Sequence, residues 1–501
     1  MDTVFTARTS TSNAYNVSLL YQHREQLLAI LHHTSDHATH TGHASLASIT
    51  LPIPQAEPSR VFLAFQAMHM GERFFWEEPA GRKVLVGLGR VKTIETTAPA
   101  AITGTIEAWQ ELQQDSFSIY LGNSDNQQTV KAHSPVLFGG FAFDPLRPHT
   151  ALWHGFPAGL LLLPHLLFQQ SGHQTTLTIN TMIMPAIDVA SMADSIISDL
   201  QTLGEILEQP VDDRDTQPAT PTTHHLPLTT RDILPAVTWM KLVERVVDNI
   251  HLDDYKKVVL ARAVQALSEQ VLSVDAALSR LRESYPEAFK FVIQRGGRYF
   301  IGATPERLLR AQSGQVQAMA LAGTSPRGAT AAEDKQLGME LLHSEKNRQE
   351  HEIVASMLKS ALADLCSELW VADVPELFQL HNLQHLKTPI IGELLPGRSI
   401  LDAIAVLHPT PAVGGFPREA ALREIREHEQ LDRGWYAGPI GWLDLDGNGE
   451  FAVALRSALV DGKSATLFAG CGIVADSLPE SEYAESRLKL AVMLRALNGG
   501  E

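Results

Sequence analysis

The feature that most constrains the fold is a long apolar strand in the second half of the chain. It begins at Lys257, ends near Val264 and reads KVVLARAV, with apolar side chains on both faces of a period-two pattern. A strand of this kind is expected to be covered on both sides. The segment therefore predicts a layered α/β structure.

Mixed α and β structure is predicted in both halves of the chain. Period-two segments joined by short turns indicate antiparallel hairpins, with helices packed outside them. The other predicted strands cover residues 61–65, 83–87, 137–143, 298–303, 316–322, 436–443, 451–459 and 465–469. The predicted helices cover residues 192–207, 236–249, 331–365 and a C-terminal segment that starts with a capping-box pattern, Ser477 with Glu480.

A stretch rich in Pro, Thr and Asp divides the chain. Residues 209–230 contain few periodic apolar positions, which predicts a linker or a long exposed loop. It separates an N-terminal α/β segment, 1–208, from a C-terminal region, 231–501. No internal repeat relates the two parts.

Net charge narrows the choice of partners and compartment. The 40 Lys and Arg residues against 57 Asp and Glu give a net charge of −17, which disfavours nucleic acid and anionic membranes. An anionic substrate would therefore need local basic residues or a metal ion. Two cysteines, a polar N-terminus and the lack of a long apolar run predict a cytoplasmic protein without a membrane partner.

Three carboxylates are expected to face inward from two helices. Glu350 falls on the apolar stripe of the 331–365 helix, and Glu482 and Glu485 share one face of the last helix with Lys489. Buried carboxylates require a counter-charge, and an all-oxygen set favours Mg²⁺. The alternative is a pair of solvated helix faces with surface Glu–Lys pairs.

Two further residues are candidates for acid–base chemistry. Lys257 opens the doubly covered strand, where desolvation favours the neutral, proton-accepting amine; alternatively its ammonium group reaches water at the strand end. Glu306 follows a strand in a Pro-containing turn, as a general acid or as a surface partner of Arg307.

Eight motifs in the second half together resemble the chorismate-utilising enzymes, and among them the isochorismate synthases. In chain order they are Lys257-Val-Val-Leu-Ala-Arg, Gly302-Ala-Thr-Pro-Glu-Arg-Leu, Leu321-Ala-Gly-Thr, Ser344-Glu-Lys-Asn-Arg-Gln-Glu350-His351, Leu383-Gln-His-Leu, His408-Pro-Thr-Pro-Ala-Val-Gly-Gly-Phe-Pro, Asp432-Arg-Gly-Trp-Tyr-Ala-Gly, and Gly470-Cys-Gly-Ile-Val with the residues from Glu485 to Lys489. The resemblance implies an anthranilate synthase-like fold, a mostly antiparallel β-sandwich built from both halves with helices outside.

The resemblance also implies a reaction and a role for each residue. Lys257 would activate a water that attacks C2 of chorismate, and Glu306 would protonate the departing C4 hydroxyl. Glu350, Glu482 and Glu485 would hold Mg²⁺ against the ring carboxylate. The substrate contacts would come from Gly323, Thr324, His385, Ala412, Tyr436, Leu455, Arg456, Gly470, Gly472 and Lys489.

Sibling enzymes differ at single positions. Ammonia-using relatives carry Gln in place of Lys257, so no glutamine amidotransferase subunit is expected here. Aminodeoxychorismate enzymes carry Lys in place of Ala322, and salicylate synthases usually carry Thr in place of Ala412. Many relatives have an acidic residue in place of Asn347, a departure that would weaken metal binding.

These expectations define an isomerase, because the net reaction moves one hydroxyl position within the molecule. The first alternative is a salicylate synthase, which adds pyruvate elimination to isochorismate formation. The second is a non-catalytic ligand-binding protein on the same fold. Isochorismate would serve menaquinone or siderophore synthesis.

Overall fold

The computed structural model describes residues 23–97, 100–121, 134–147, 150–208, 228–379 and 383–499. Most of the predicted linker, residues 209–227, lies outside the described residues. The last two residues of the predicted linker 209–230 are Thr229 and Thr230, and both belong to a strand.

Helices occupy the outside of the molecule. Those within the described ranges are α1 Arg24–Thr41, α2 Pro58–Ala67, α3 Ala101–Gln114, α4 Val189–Glu208, α5 Ala236–His251, α6 Val274–Ser284, α7 Ala331–His343, α8 Glu345–Ala363, α9 Ile400–Leu407, α10 Arg418–His428 and α11 Pro479–Asn498.

Strands from both halves of the chain form two large sheets. In chain order they are β1 Ser45–Pro52, β2 Arg73–Glu77, β3 Lys83–Leu88, β4 Lys92–Thr96, β5 Ser116–Tyr120, β6 Val136–Phe141, β7 Gly159–Leu163, β8 Leu166–Ser171, β9 Gln174–Ile183, β10 Thr229–Asp232, β11 Lys257–Leu267, β12 Phe289–Arg295, β13 Arg298–Thr304, β14 Arg307–Gln312, β15 Gln315–Pro326, β16 Cys366–Val371, β17 Glu376–Gln379, β18 Leu383–Leu394, β19 Gly415–Phe416, β20 Pro439–Asp444, β21 Gly449–Val453, β22 Ser457–Asp461 and β23 Ser464–Ile473.

The two sheets face each other. The larger has the order β10-β11-β23-β22-β13-β12-β2-β3-β8-β9-β1-β5, with β19 paired to β11. The smaller has the order β16-β18-β15-β14-β21-β20-β6-β7-β4, with β17 paired to β18. Among the described strands only β1 and β5 pair in parallel. The expected antiparallel sandwich with helices outside is therefore confirmed.

Alternating side chains bury both faces of the larger sheet. On β2, Phe74 stacks on Phe138 of the smaller sheet with ring centroids 4.5 Å apart. Its neighbour Phe75 points to the opposite face and meets Phe62 of α2. Each face therefore has its own apolar core, one between the sheets and one under the helices.

The prediction of a strand at 61–65 is wrong, because these residues lie in helix α2. Pro58 opens the helix, and the Glu57 carboxylate caps it by accepting a hydrogen bond from the Arg60 amide. A short apolar run fits a buried helix and a buried strand equally well, so the cap is the distinguishing signal.

The predicted long helix at 331–365 is interrupted. Ser344 takes an extended conformation between α7 and α8, and its hydroxyl accepts a hydrogen bond from the Asn347 amide. The core-facing stripe of α8 consists of His351, Val354, Ala355, Leu358 and Leu362. Ile353 of the same helix is exposed and lies outside this stripe.

The capping box predicted at Ser477 does not form. Helix α11 begins at Pro479, and the Ser477 hydroxyl donates instead to the Glu482 carboxylate at 2.7 Å.

No helix in the described ranges is long and apolar enough to cross a membrane. Cys366 and Cys471 are both free and buried.

The contact between the sheets gives a stability prediction. Phe138→Ala leaves a cavity between two buried rings, so we expect the free energy of unfolding to fall by about 3–5 kcal/mol. The matched control Ile233→Ala, at an exposed position, should change it by less than about 0.5 kcal/mol. Urea denaturation of both variants checks this, and equal losses would contradict the assigned core.

Candidate active site

The chain crosses from one sheet to the other twice at the same place. It passes from β13 to β14 through Pro305 and Glu306, and from β21 to β22 through residues 454–456. The Val453 amide donates to the Glu306 carbonyl at 3.0 Å, and the Ala303 amide donates to the Arg456 carbonyl at 3.1 Å. These bonds hold the two crossings side by side.

The second crossing corrects a sequence prediction. Residues 451–459 were expected to form one strand, but the chain changes sheets within them. Arg456 takes a φ of 47°, a conformation that few residues with side chains adopt. The turn brings the Arg456 side chain close to Tyr436 and Glu485, whose charges act on it. Strained backbone of this kind is common at functional sites.

Lys257 projects from the start of β11 beside a glycine of β23. Its side chain is 20% exposed, and its ammonium nitrogen lies 3.5 Å from a carboxylate oxygen of Glu350 on α8. A Cβ at Gly472 would lie 2.8 Å from the Lys257 Cε atom. Any larger residue at position 472 would therefore displace the end of the Lys257 side chain from this position.

Glu306 lies in the first crossing with an environment that keeps its proton. Burial raises the pKa of the Glu306 carboxyl to about 7, while the charges of Lys257 and Lys489 lower it. The alternative in which Glu306 pairs with Arg307 does not hold, because the Arg307 guanidinium binds Glu450 at 2.5 Å. Glu306 is therefore a carboxyl group that can donate a proton near neutral pH.

Helix α11 supplies two carboxylates and a lysine. Lys489 donates to the Gly470 carbonyl at 2.8 Å and pairs with Glu485 at 2.7 Å. Burial raises the pKa of Glu482, the hydrogen bond from Ser477 opposes this effect, and the nearby charge of Glu485 adds to it. Glu482 and Glu485 are thus electrostatic neighbours.

A bulge in β15 presents two polar groups. The register between β15 and β18 shifts between Ala322 and Thr324, and Gly323 at the bulge has a φ of 72°. The Thr324 hydroxyl lies 3.0 Å from the His385 Nδ1 atom. Burial lowers the pKa of His385, and the charges of Arg456 and Lys489 lower it further, so its ring is neutral at pH 7.

Tyr436 and Arg456 complete the group. The Tyr436 ring stacks on Phe468 with centroids 5.2 Å apart, and burial raises its pKa, so the hydroxyl stays protonated. A Cβ at Gly470 would lie 3.0 Å from that hydroxyl. Arg456 pairs with no carboxylate in the described part of the chain, which leaves its guanidinium available for an anion.

We call this group the crossing site. It joins most of the residues predicted from sequence through direct contacts or mutual charge effects: Lys257, Glu306, Glu350, His385, Tyr436, Arg456, Gly470, Gly472, Glu482, Glu485 and Lys489. Gly323 and Thr324 join through His385. Leu455 lies in the second crossing beside Arg456, and Ala412 lies in the turn before β19, which pairs with Lys257 and Val258.

The carboxylates are not gathered around one point. No three His, Cys, Asp or Glu side chains in the described ranges lie close enough to hold a metal ion. Glu350 and Glu485 instead contact Lys257 and Lys489. Lys346, on the same helix as Glu350, is 75% exposed and pairs with Asp476.

Sequence reasoning missed a buried charged network behind the crossings. Glu450 is fully buried next to Arg307, and burial together with the Glu450 charge raises the pKa of Glu78 to about 8. The Lys83 ammonium lies 3.4 Å from the Trp442 ring centroid. The signal was weak, because charged residues beside the hairpin turn at 445–448 resemble ordinary surface positions.

Fold and site together define a two-sheet α/β sandwich whose crossings bring lysine, arginine and carboxyl side chains into one group. A family model described as "Chorismate binding enzyme" matches residues 31–498. The isochorismate synthase MenF of Bacillus subtilis is 36% identical over 478 residues, 95% of this chain and 98% of the relative. The chain therefore belongs to the chorismate binding enzyme family.

Two further comparisons agree with this assignment. The salicylate biosynthesis isochorismate synthase of Pseudomonas aeruginosa is 40% identical over 365 residues, 73% of this chain and 75% of the relative. The solved structure of MenF, the menaquinone-specific isochorismate synthase from Escherichia coli, has a TM-score of 0.72 at 26% identity. That match covers 95% of this chain and 99% of the other.

Proposed function

We propose that this protein is an isochorismate synthase, an isomerase that interconverts chorismate and isochorismate. The observation that carries the proposal is the combination of Lys257 with Glu306, a lysine and a protonatable carboxyl whose charges act on each other in one site. The relatives named above, described as isochorismate synthases, support it.

The two residues would divide the proton transfers. Neutral Lys257 takes a proton from a water molecule as the water oxygen bonds to C2 of the ring. The ring double bonds shift, the C4–O bond breaks, and Glu306 gives its proton to the departing hydroxyl, which leaves as water. One water enters and one leaves, so atoms balance and the reaction is reversible.

Basic groups would bind the two substrate carboxylates. Arg456 lacks a carboxylate partner in the described ranges, and Lys489 lies next to the Gly470 carbonyl. Tyr436 and the neutral His385 offer hydrogen bonds without adding charge. A dianion would thus meet local positive charge on a protein whose net charge is −17.

The resemblance implies a metal ion, and three carboxylates offer the hard oxygen chemistry that Mg²⁺ prefers. Because no three described side chains converge on one point, Glu350, Glu482 and Glu485 would have to move closer together to hold the ion. Magnesium, when bound, would supply positive charge at the ring carboxylate. In the structure Glu350 and Glu485 contact the ammonium groups of Lys257 and Lys489, and a bound ion would replace these lysines as their counter-charge. Asn347 adds no charge there, because its side chain is a neutral amide. This amide donates a hydrogen bond to the Ser344 hydroxyl.

The second candidate function is a salicylate synthase. Ala412 favours an isochorismate synthase over it. A small apolar side chain at this position leaves out the hydroxyl that salicylate-forming relatives provide.

We further propose a cytoplasmic enzyme that needs no amidotransferase subunit, because both cysteines are free and Lys257 suits water as the nucleophile. Its product would enter menaquinone or siderophore synthesis.

The product is the most direct test. Purified protein with chorismate and Mg²⁺ should yield a mixture of chorismate and isochorismate, because the exchange of one ring hydroxyl position for another is nearly balanced. Liquid chromatography of the reaction checks this. Steady accumulation of salicylate and pyruvate would favour the second candidate, and no conversion would contradict both.

The proton-transfer roles predict specific losses. Lys257→Ala and Glu306→Gln should each lower kcat by about 10²- to 10⁴-fold, with Tm unchanged. The control is Lys256→Ala, because the neighbouring lysine is 61% exposed and binds only Asp253. Since Glu306 must be protonated and its pKa is about 7, wild-type kcat/KM should fall as pH rises through 7. A Lys257→Ala enzyme with a tenth of wild-type kcat would exclude this base.

Metal dependence is tested with a chelator. Excess chelator should abolish turnover and leave the fold intact by circular dichroism, and added Mg²⁺ should restore activity. Glu485→Gln should stay inactive in high Mg²⁺, whereas Glu480→Gln, an exposed position on the same helix, should behave like wild type. Full activity in excess chelator would disprove the metal assignment.

A further inference from the structure

A separate cavity lies outside the crossing site. Its volume is about 320 Å³, which is within the range of small-molecule pockets. It lies between the start of α3, the segment after β6 and helices α9 and α10, and it shares no residue with the crossing site. Its lining includes Ala101, Phe141, Phe143, His408, Arg418 and Leu422.

The cavity contains a cation without an acidic partner. The Arg418 guanidinium donates to the carbonyl oxygens of Val406, at 2.8 Å, and of His408. No described carboxylate forms a salt bridge with it, and burial lowers its pKa. The other arginine in the wall, Arg426, is neutralised by Asp144 at 3.0 Å. The nearby charge of Glu419 acts on Arg418, but no carboxylate of the described cavity wall pairs with it, so an anion in the cavity would stabilise this positive charge.

Two helix N-termini add to this positive potential. The first three residues of α3, Ala101, Ile102 and Thr103, line the cavity, and the N-cap residue Ala100 makes no side-chain cap. Arg418 is the first residue of α10, whose N-cap residue Pro417 also makes none. Uncapped first-turn amides favour an anion.

A buried histidine supplies an unused acceptor. His408 is 5% exposed, and its Nε2 atom lies 3.0 Å from the Phe143 carbonyl, so Nε2 carries the proton. Burial lowers the pKa of His408 to about 3, which keeps the ring neutral. Its Nδ1 atom has no hydrogen-bond partner among the described residues. A donor in the cavity would satisfy it.

We propose that this cavity is a second ligand site, for a small ring-shaped monocarboxylate that also carries a hydroxyl group. The carboxylate would bind Arg418 and the first turn of α3, the ring would pack on Phe141, Phe143 and Leu422, and the hydroxyl would donate to His408. This site is independent of the proposed reaction, because none of its residues takes part in it.

Calorimetric titration of the full-length protein tests the proposal with 3- and 4-hydroxybenzoate as probes. At least one should bind saturably with a Kd below about 1 mM, and saturating chorismate should not displace it. The matching hydroxybenzamide, which lacks the charge, should bind at least about tenfold more weakly. Arg418→Gln should cause a similar loss.

Ala405→Phe provides a second variant that fills the cavity without removing a charge. It should abolish probe binding and leave chorismate turnover at the wild-type level. Four results would each overturn the proposal: no saturable binding of either probe, displacement by chorismate, equal affinity for the amide, or unchanged binding in both variants.

Discussion

Two short peptide segments that connect the sheets determine the geometry of the site. Glu306 lies between β13 and β14, and Arg456 lies between β21 and β22, so each is placed where the backbone leaves one sheet for the other. Amide hydrogen bonds of 3.0 and 3.1 Å join these crossings to neighbouring strands. Glu306 and Arg456 are therefore held by the sandwich itself, whose two sheets are joined by contacts such as the stacked Phe74 and Phe138 rings.

Charge is distributed unevenly in a way that suits an acidic substrate. The chain is strongly acidic overall, yet within the crossing site the charges of Lys257 and Lys489 act on Glu306, and those of Arg456 and Lys489 act on His385. The lysines face Glu350 and Glu485, whereas Arg456 has no acidic partner among the described residues. Arg456 therefore provides a positive charge with which an incoming carboxylate can pair.

Local sequence patterns predicted most helices and strands, but they did not predict where the chain passes from one sheet to the other. The apolar run from Lys257 and the helix at 236–249 were confirmed with small shifts, since burial on both faces leaves a strong signal. The switch at Arg456 was missed, because alternation continues through 451–459 while the backbone changes sheets. The site residues came from motif resemblance. Their proximity depends on pairings such as Val259 with Gly472, which no local pattern encodes.

In the proposed reaction, water bound near Lys257 adds to C2 while the C4 hydroxyl leaves with a proton from Glu306. Turnover of chorismate in water enriched in oxygen-18 tests this most directly, with mass spectrometry of isochorismate at early times. One solvent oxygen should appear in the product, at the C2 hydroxyl. Isochorismate formed without solvent oxygen would mean that the hydroxyl migrates within the ring, and it would contradict the assigned roles of both residues.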